Sequence, residues 1–219
     1  MKYVVYTCII GKYDTLNEIN QKQDGVDYIC FTDDSNLKSN TWDIRMLPDL
    51  PQGLTNVKKQ RYIKIMAHKV LSDYDVSIWV DGNVSILGDA LTFLERYHKG
   101  VITTLRHPKV GCLYTEGKNC MGFKDNAFIL TKQLMKYKKE GMPLDYGMIE
   151  SKLIIRNHND KHCIELMETW WSEVYMFSHR DQVSFNYALW KVQGDVNLIN
   201  KNEINDKYFK LIYEHYPYK

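Results

Sequence analysis

Ser77-Ile78-Trp79-Val80-Asp81-Gly82-Asn83-Val84-Ser85-Ile86 is the stretch on which the fold turns. An apolar run enters Asp81-Gly82-Asn83 and resumes as Val84-Ser85-Ile86. Apolar residues at consecutive positions mark a strand covered on both faces, as in a parallel sheet. In open α/β sheets, ligands bind beyond the carboxyl ends of the strands. Asp81 and Asn83 carry oxygens two positions apart, and such a pair can converge on a hard cation, Mg²⁺ or Mn²⁺, that bridges to phosphate. Gly82 between them has no side chain to keep a ligand away from the backbone. The competing reading is the Asp-Gly turn of a β-hairpin. The segment alone leaves both open.

Working outward, residues 3–10 (YVVYTCII) form a second such run, followed by a polar turn with Gly11 and Asp14. Residues 27–32 read as a strand stopped by Asp33-Asp34, and 42–46 as a third before Pro48 and Pro51 break the chain. Over 56–71 the apolar residues recur at helical spacing, with Arg61, Lys64 and His68 along one stripe. A solvated face and a diphosphate contact both fit that stripe. Residues 91–97 read as a helix and 101–105 as a strand, while 106–124 read as irregular. Within that segment His107, Tyr114 and Glu116 are candidates for a pocket-lining loop, since long irregular stretches in compact domains are often functional. A helix over 127–140 ends at Gly141 and Pro143. A strand over 153–156 and helices over 162–177 and 182–193 follow, then a polar and aromatic tail from Asn197. The alternation predicts one α/β domain over 1–219, with a mostly parallel sheet flanked by helices.

Composition narrows the classes. The 219 residues can bury a sizeable core, and 44% of them are hydrophobic. A net charge of +2, with no basic stripe, argues against nucleic acid as a partner. No apolar run approaches a membrane span, and the N-terminal stretch is too short for a signal-peptide core, so a cytoplasmic protein is expected. Five cysteines, none in CxxC spacing, read as free thiols in a reducing compartment.

Ser178-His179-Arg180-Asp181-Gln182 precedes a helix, where backbone donors and the macrodipole favour negative charge. Asp181 is either a cap or a general base for an acceptor hydroxyl, with Arg180 orienting it or a phosphate. Gln182 joins it on the acceptor side.

Taken in order, YTCIIGKYD (6–14), CFTDD (30–34), RYIKIMAHKVL (61–71), SIWVDGNVSI, HPKVGCLYTEG (107–117), EGMP (140–143), IIRNHN (154–159), WWSEV (170–174) and SHRDQVSFNYALWK (178–191) resemble a glycosyltransferase-like family long catalogued as a domain of unknown function. It occurs in bacterial polysaccharide clusters, large viruses and plant cell-wall proteins. The resemblance covers nearly the whole chain. It implies a GT-A fold, a Rossmann-like nucleotide-diphospho-sugar transferase sandwich, and a UDP-sugar donor. By that resemblance Asp81 and Asn83 stand where the family of folds carries an Asp-x-Asp metal motif for Mn²⁺ or Mg²⁺. Asn83 brings no charge, which puts strict metal dependence in doubt. Thr7, Gly11 and Tyr13 match the nucleobase and ribose loop, and Asp33 the uracil contact. Arg61 and Lys64 become diphosphate contacts, Asp81 and Gly82 donor-site residues, and His215 a late histidine on the metal. Asp181 matches the acceptor-side acid.

The function expected is transfer of a sugar from a nucleotide-diphosphate donor to a glycan hydroxyl, in glycan or polysaccharide synthesis, with Asp181 as base and inversion slightly favoured. A non-catalytic nucleotide-sugar or glycan-binding module is the alternative. A metal-assisted hydrolase ranks third, for the chain has neither a GxSxG elbow nor an HExxH helix.

Overall fold

Strands that are apolar at every position need cover on both faces. The computed structural model, which describes residues 1–211, provides it with packed layers on each side of one sheet. The strands are β1 (Tyr3–Ile9), β2 (Val26–Thr32), β3 (Asp43–Met46), β4 (Val76–Val80), β5 (Val84–Ile86), β6 (Ile102–Arg106), β7 (Ile149–Arg156), β8 (Asn197–Ile199) and β9 (Phe209–Leu211). The helices are α1 (Asn56–Ile65), α2 (Ala67–Val70), α3 (Ala90–Tyr97), α4 (Leu113–Cys120), α5 (Ala127–Lys139), α6 (Lys161–Met176), α7 (Asp181–Lys191) and α8 (Lys201–Ile204). Even-numbered β1 side chains pack with α1, α6 and α7, while odd-numbered ones pack with α3, β5 and β9.

The seven-stranded sheet runs β3-β2-β1-β4-β7-β6-β8. β7 is antiparallel to both of its neighbours, and the other pairings are parallel. The chain lays β2 and β3 outward from one side of β1, then returns to place β4 on the other side. That reversal opens a crevice between the loops after β1 and β4, which is where open α/β sheets take ligands.

The Asp81 turn is not a hairpin. Val84 N donates to Asp81 O at 2.9 Å, closing a β-turn, but β5 then leaves the main sheet and pairs antiparallel with β9. The polar and aromatic tail from Asn197, to which the sequence reading gave no element, supplies both β8 and β9. Val84-Ser85-Ile86 therefore belongs to a second, two-stranded sheet.

Two other expectations are corrected. The helix over 56–71 breaks at Met66, whose φ of −91° and ψ of 43° are non-helical. The cause lies in β7. Arg156, fully buried, donates to Ile65 O at 3.1 Å and Lys64 O at 2.8 Å, and Tyr6 Oη donates to Lys64 O at 2.9 Å. With its last carbonyls so engaged, α1 stops there. Residues 113–120, expected to be irregular, form α4. Gly117 lets α4 approach α5, since a Cβ there would lie 2.8 Å from Leu134 Cδ1. The cysteines are free, as expected, and four of the five are buried. No helix among the described residues is long and apolar enough to cross a membrane.

Candidate functional site

At the carboxyl edge of β4 the chain must end a buried strand on a polar group. Asp81 does so with its side chain 23% exposed. Its Oδ1 accepts from Trp79 Nε1 at 2.8 Å and from Lys64 Nζ at 3.1 Å. Its Oδ2 accepts no hydrogen bond among the described residues. Lys64, only 1% exposed, lies 2.7 Å from Asp181 Oδ2 and donates to Ser151 Oγ at 3.0 Å. Ser151 Oγ donates in turn to Asp181 Oδ2 at 2.9 Å, and Arg61 Nε lies 3.3 Å from Asp181 Oδ1. One buried ammonium thus joins two carboxylates that are 100 residues apart in sequence. An ammonium has three donors, and here all three are used.

Those contacts change two assignments. Lys64 has no donor left for a diphosphate; it fixes Asp81 against Asp181 instead. Burial would raise the Asp181 pKa, but Arg61, Lys64 and Arg180 outweigh it and hold the carboxyl well below its ordinary value. A carboxylate so stabilised, with both oxygens engaged, is a weak base. Nor is Asp181 a cap, for it is the first residue of α7 and Arg180 holds the N-cap position. Trp170 Nε1 donates to Asp181 O at 2.8 Å and pins that helix start from the core.

The loop after β1 forms the other wall. Gly11 (φ +63°) and Lys12 (φ +57°) take the left-handed conformation, which glycine adopts at no steric cost. Gly11 N donates to Asp33 Oδ1 at 2.9 Å, so the loops after β1 and β2 are tied. Tyr13 presents a ring that is 62% exposed. Thr7, by contrast, is buried inside the sheet and does not line this edge. Gly82 serves packing: a Cβ there would meet Asp14 Oδ2 at 3.1 Å and Ile9 Cγ1 at 3.4 Å.

Lys152 Nζ donates to Asn83 Oδ1 at 3.3 Å. Burial lowers the pKa of this lysine, while Asp81, Glu150 and Asp14 act to raise it. Asp81 and Asn83 therefore each have an oxygen already on an ammonium, that of Lys64 and of Lys152 respectively. They do not make a divalent-ion site alone, and no group of three or more His, Cys, Asp or Glu among the described residues could hold a metal. His215, the expected third ligand, lies outside the described residues.

The remaining candidates hold the neighbourhood of α4. His107 Nδ1 accepts from Lys109 N at 3.2 Å and Val110 N at 2.9 Å. Tyr114 Oη donates to Met142 O at 3.0 Å, and Cys120 Sγ donates to Glu116 Oε1 at 3.3 Å. Glu116 and Asp181 both raise the pKa of Arg180, against burial, which lowers it. Gln182 Nε2 donates to Ile149 O at 3.0 Å. His68 is diverted from the stripe by the break at Met66 and lies 3.6 Å from Glu168.

Ser151, Lys152, Trp79 and Asp14 escaped the sequence reading. A bulge explains the first two. The pairing of β6 with β7 steps from Thr104↔Ile154 to Leu105↔Glu150, which re-aims the intervening residues. The available signal was Glu150-Ser151-Lys152, three polar residues leading into an otherwise apolar strand.

Comparison with known proteins places the chain in a family and a fold. The sequence model of a family described as "TOD1/MUCI70, glycosyltransferase-like domain" matches residues 1–216. A protein of Arabidopsis thaliana, "Probable hexosyltransferase MUCI70", is 28% identical over 183 residues. That match covers 75% of this chain and 30% of the plant protein's length. Mouse xyloside xylosyltransferase 1 in its apo form superposes with a TM-score of 0.53 at 9% identity, over 91% of this chain and 85% of that one. The apo bifunctional glycosyltransferase WbbM gives 0.50 at 11% identity, over 90% of this chain and 38% of that one. The two structural likenesses concern the fold, which is one used by glycosyltransferases.

Proposed function

This chain belongs to the TOD1/MUCI70 glycosyltransferase-like family, and from that premise we propose that it transfers a sugar from a nucleotide-diphosphate donor, of the UDP type, to a hydroxyl of a glycan acceptor. The observation that carries the reading is the ion-paired turn of Asp81 at the switch point between β1 and β4. Buried cations pull Asp81 and Asp181 into one rigid cluster, and preorganised charge is the main lever of such catalysis.

In this reading Tyr13 stacks on the base and Asp33 stands beside it. Asp81 Oδ2 accepts from a ribose or sugar hydroxyl. Lys152 meets the negative charge that grows on the diphosphate as the glycosidic bond breaks. Asp181 acts through Lys64 and Arg61 and is a positioning residue. A divalent ion, where one binds, would supply a second positive charge at Asp81.

Asn83 in place of an acid is the feature that favours the second reading, a module that holds a nucleotide sugar without turnover. Incubating the protein with UDP-, GDP- and dTDP-sugars and an oligosaccharide panel separates the two. A glycosylated product is the expected result. Donor binding with no product, across the panel, would establish the module.

A further inference from the structure

Two residues before Asp181 lies a histidine with a different kind of support. Asp125, in the loop between α4 and α5, accepts through Oδ2 from Ser178 Oγ at 2.5 Å and from His179 N at 3.1 Å. The same oxygen lies 3.1 Å from His179 Nδ1. A carboxylate on Nδ1 places the proton there and leaves the lone pair on Nε2. That nitrogen has no hydrogen-bond partner among the described residues, and it is not among the buried unpaired atoms. Arg61 Nε spans the space between His179 O and Asp181 Oδ1, at 3.3 Å from each. The histidine therefore stands at the rim of the charged cluster.

Asp125 has a second kind of neighbour. Phe123 and Phe128, two and three positions away, are 87% and 77% exposed and form a shallow, open surface with Gly122, Lys124 and Asn126. Bare aromatic faces beside a charged site are flat apolar surfaces of the kind that sugar rings stack on. The loop thus carries both a ring-binding surface and the carboxylate that orients His179.

We propose that His179 Nε2 is the base that takes the proton of the acceptor hydroxyl, that Asp125 positions it, and that Phe123 and Phe128 seat the acceptor sugar. The assignment rests on the glycosyltransferase reading above. The acceptor oxygen forms its bond to the anomeric carbon as its proton passes to Nε2. The bond from that carbon to the diphosphate oxygen breaks, with its electron pair leaving on the nucleoside diphosphate. The imidazolium then releases its proton to solvent. Attack of this kind inverts the anomeric centre.

The surroundings keep the ring neutral. Burial lowers the His179 pKa, and Arg61 from α1 and Arg180 lower it further, against Asp125 and Asp181, which raise it. Burial lowers the pKa of Lys58, also on α1, and its interaction with Asp125 acts to raise it. Between this imidazole and the ion-paired Asp181, the imidazole is the group able to accept a proton near neutral pH.

The test compares transfer rate against pH, product stereochemistry and donor-induced thermal shift in the parent, His179→Gln and Asp125→Asn. The parent should lose activity on the acid side as His179 protonates. His179→Gln should keep the donor shift, lose about 100-fold or more in transfer, and lose that acid limb. Asp125→Asn removes a negative charge from the ring, so its acid limb should move to lower pH. Phe123→Ser with Phe128→Ser should raise the acceptor KM more than it lowers kcat. Transfer by His179→Gln within threefold of the parent, an acid limb unchanged in that variant, or retention at the anomeric carbon overturns the base assignment alone. A parent with neither donor shift nor transfer overturns the glycosyltransferase reading, and the base with it.

Discussion

Lys64 and Asp181 show how a residue's role follows from its partners. Removing one member of a buried ion pair leaves an uncompensated charge and typically costs about 3–5 kcal/mol. Asp181→Asn strands Lys64 and Arg61 in this way. Its pH signature has a definite sign. The folded pKa of Asp181 is depressed, so its stabilisation is complete above the unfolded value, about 3.9, and is lost as pH falls through the folded pKa. The melting temperatures of parent and Asp181→Asn should therefore differ by a constant amount from pH 7 to 5 and converge only below about pH 4. Convergence already at pH 6 would mean the carboxylate is not ion-paired as described. At this scale the sequence offered candidates but not their contacts. Asp81, Arg61, Lys64 and Asp181 stood out as candidates, and the structure brings all four together. Only three-dimensional contact reveals that Lys64 is consumed by its neighbours.

Elements were legible where their period was strong. The buried strands of β1 and β4 and the long helices α5, α6 and α7 follow from apolar runs and helical spacing. What failed was local structure imposed from far away. The helical pattern of 56–71 continues through Met66, and the guanidinium that ends α1 sits 91 positions downstream of Ile65. Arg156→Met should orphan the carbonyl of Ile65 and leave Lys64 O and Tyr6 Oη with only each other, at a cost on the order of 2 kcal/mol. Because those carbonyls belong to the turn that carries Lys64, the variant should also weaken donor binding. Chemical denaturation with donor titration checks both, and a stable variant with parental donor affinity would refute the link. α4 was hidden for a related reason. Its fit to α5 depends on Gly117, a residue that lowers helix propensity when judged alone.

For the whole molecule, charge is local rather than global. A net +2 gives no strong field to draw in a charged donor, so recognition falls to the cations within the site. Saturation at 100 times Kd stabilises the native state by about 2.7 kcal/mol. In a chain of this size that amounts to a rise in melting temperature of roughly 5–10 °C. With Lys152 beside Asn83, the rise should persist largely intact when EDTA replaces Mn²⁺. Its disappearance in chelator, with recovery on adding Mn²⁺, would show that a metal ion is needed for donor binding after all.

The pairing of β5 with β9 has one more consequence, which concerns the order of synthesis. The turn at Asp81 is made early, yet the strand that steadies β5 is translated far downstream, with Lys210 opposite Ser85. While the chain emerges from the ribosome, β1 to β4 can already assemble, but the donor turn waits unsupported. A nascent chain stalled before β9 would hold most of its sheet and still not grip a nucleotide. Under the proposed function, competence to bind thus waits on the synthesis of β9, a built-in delay between folding of the sheet and function.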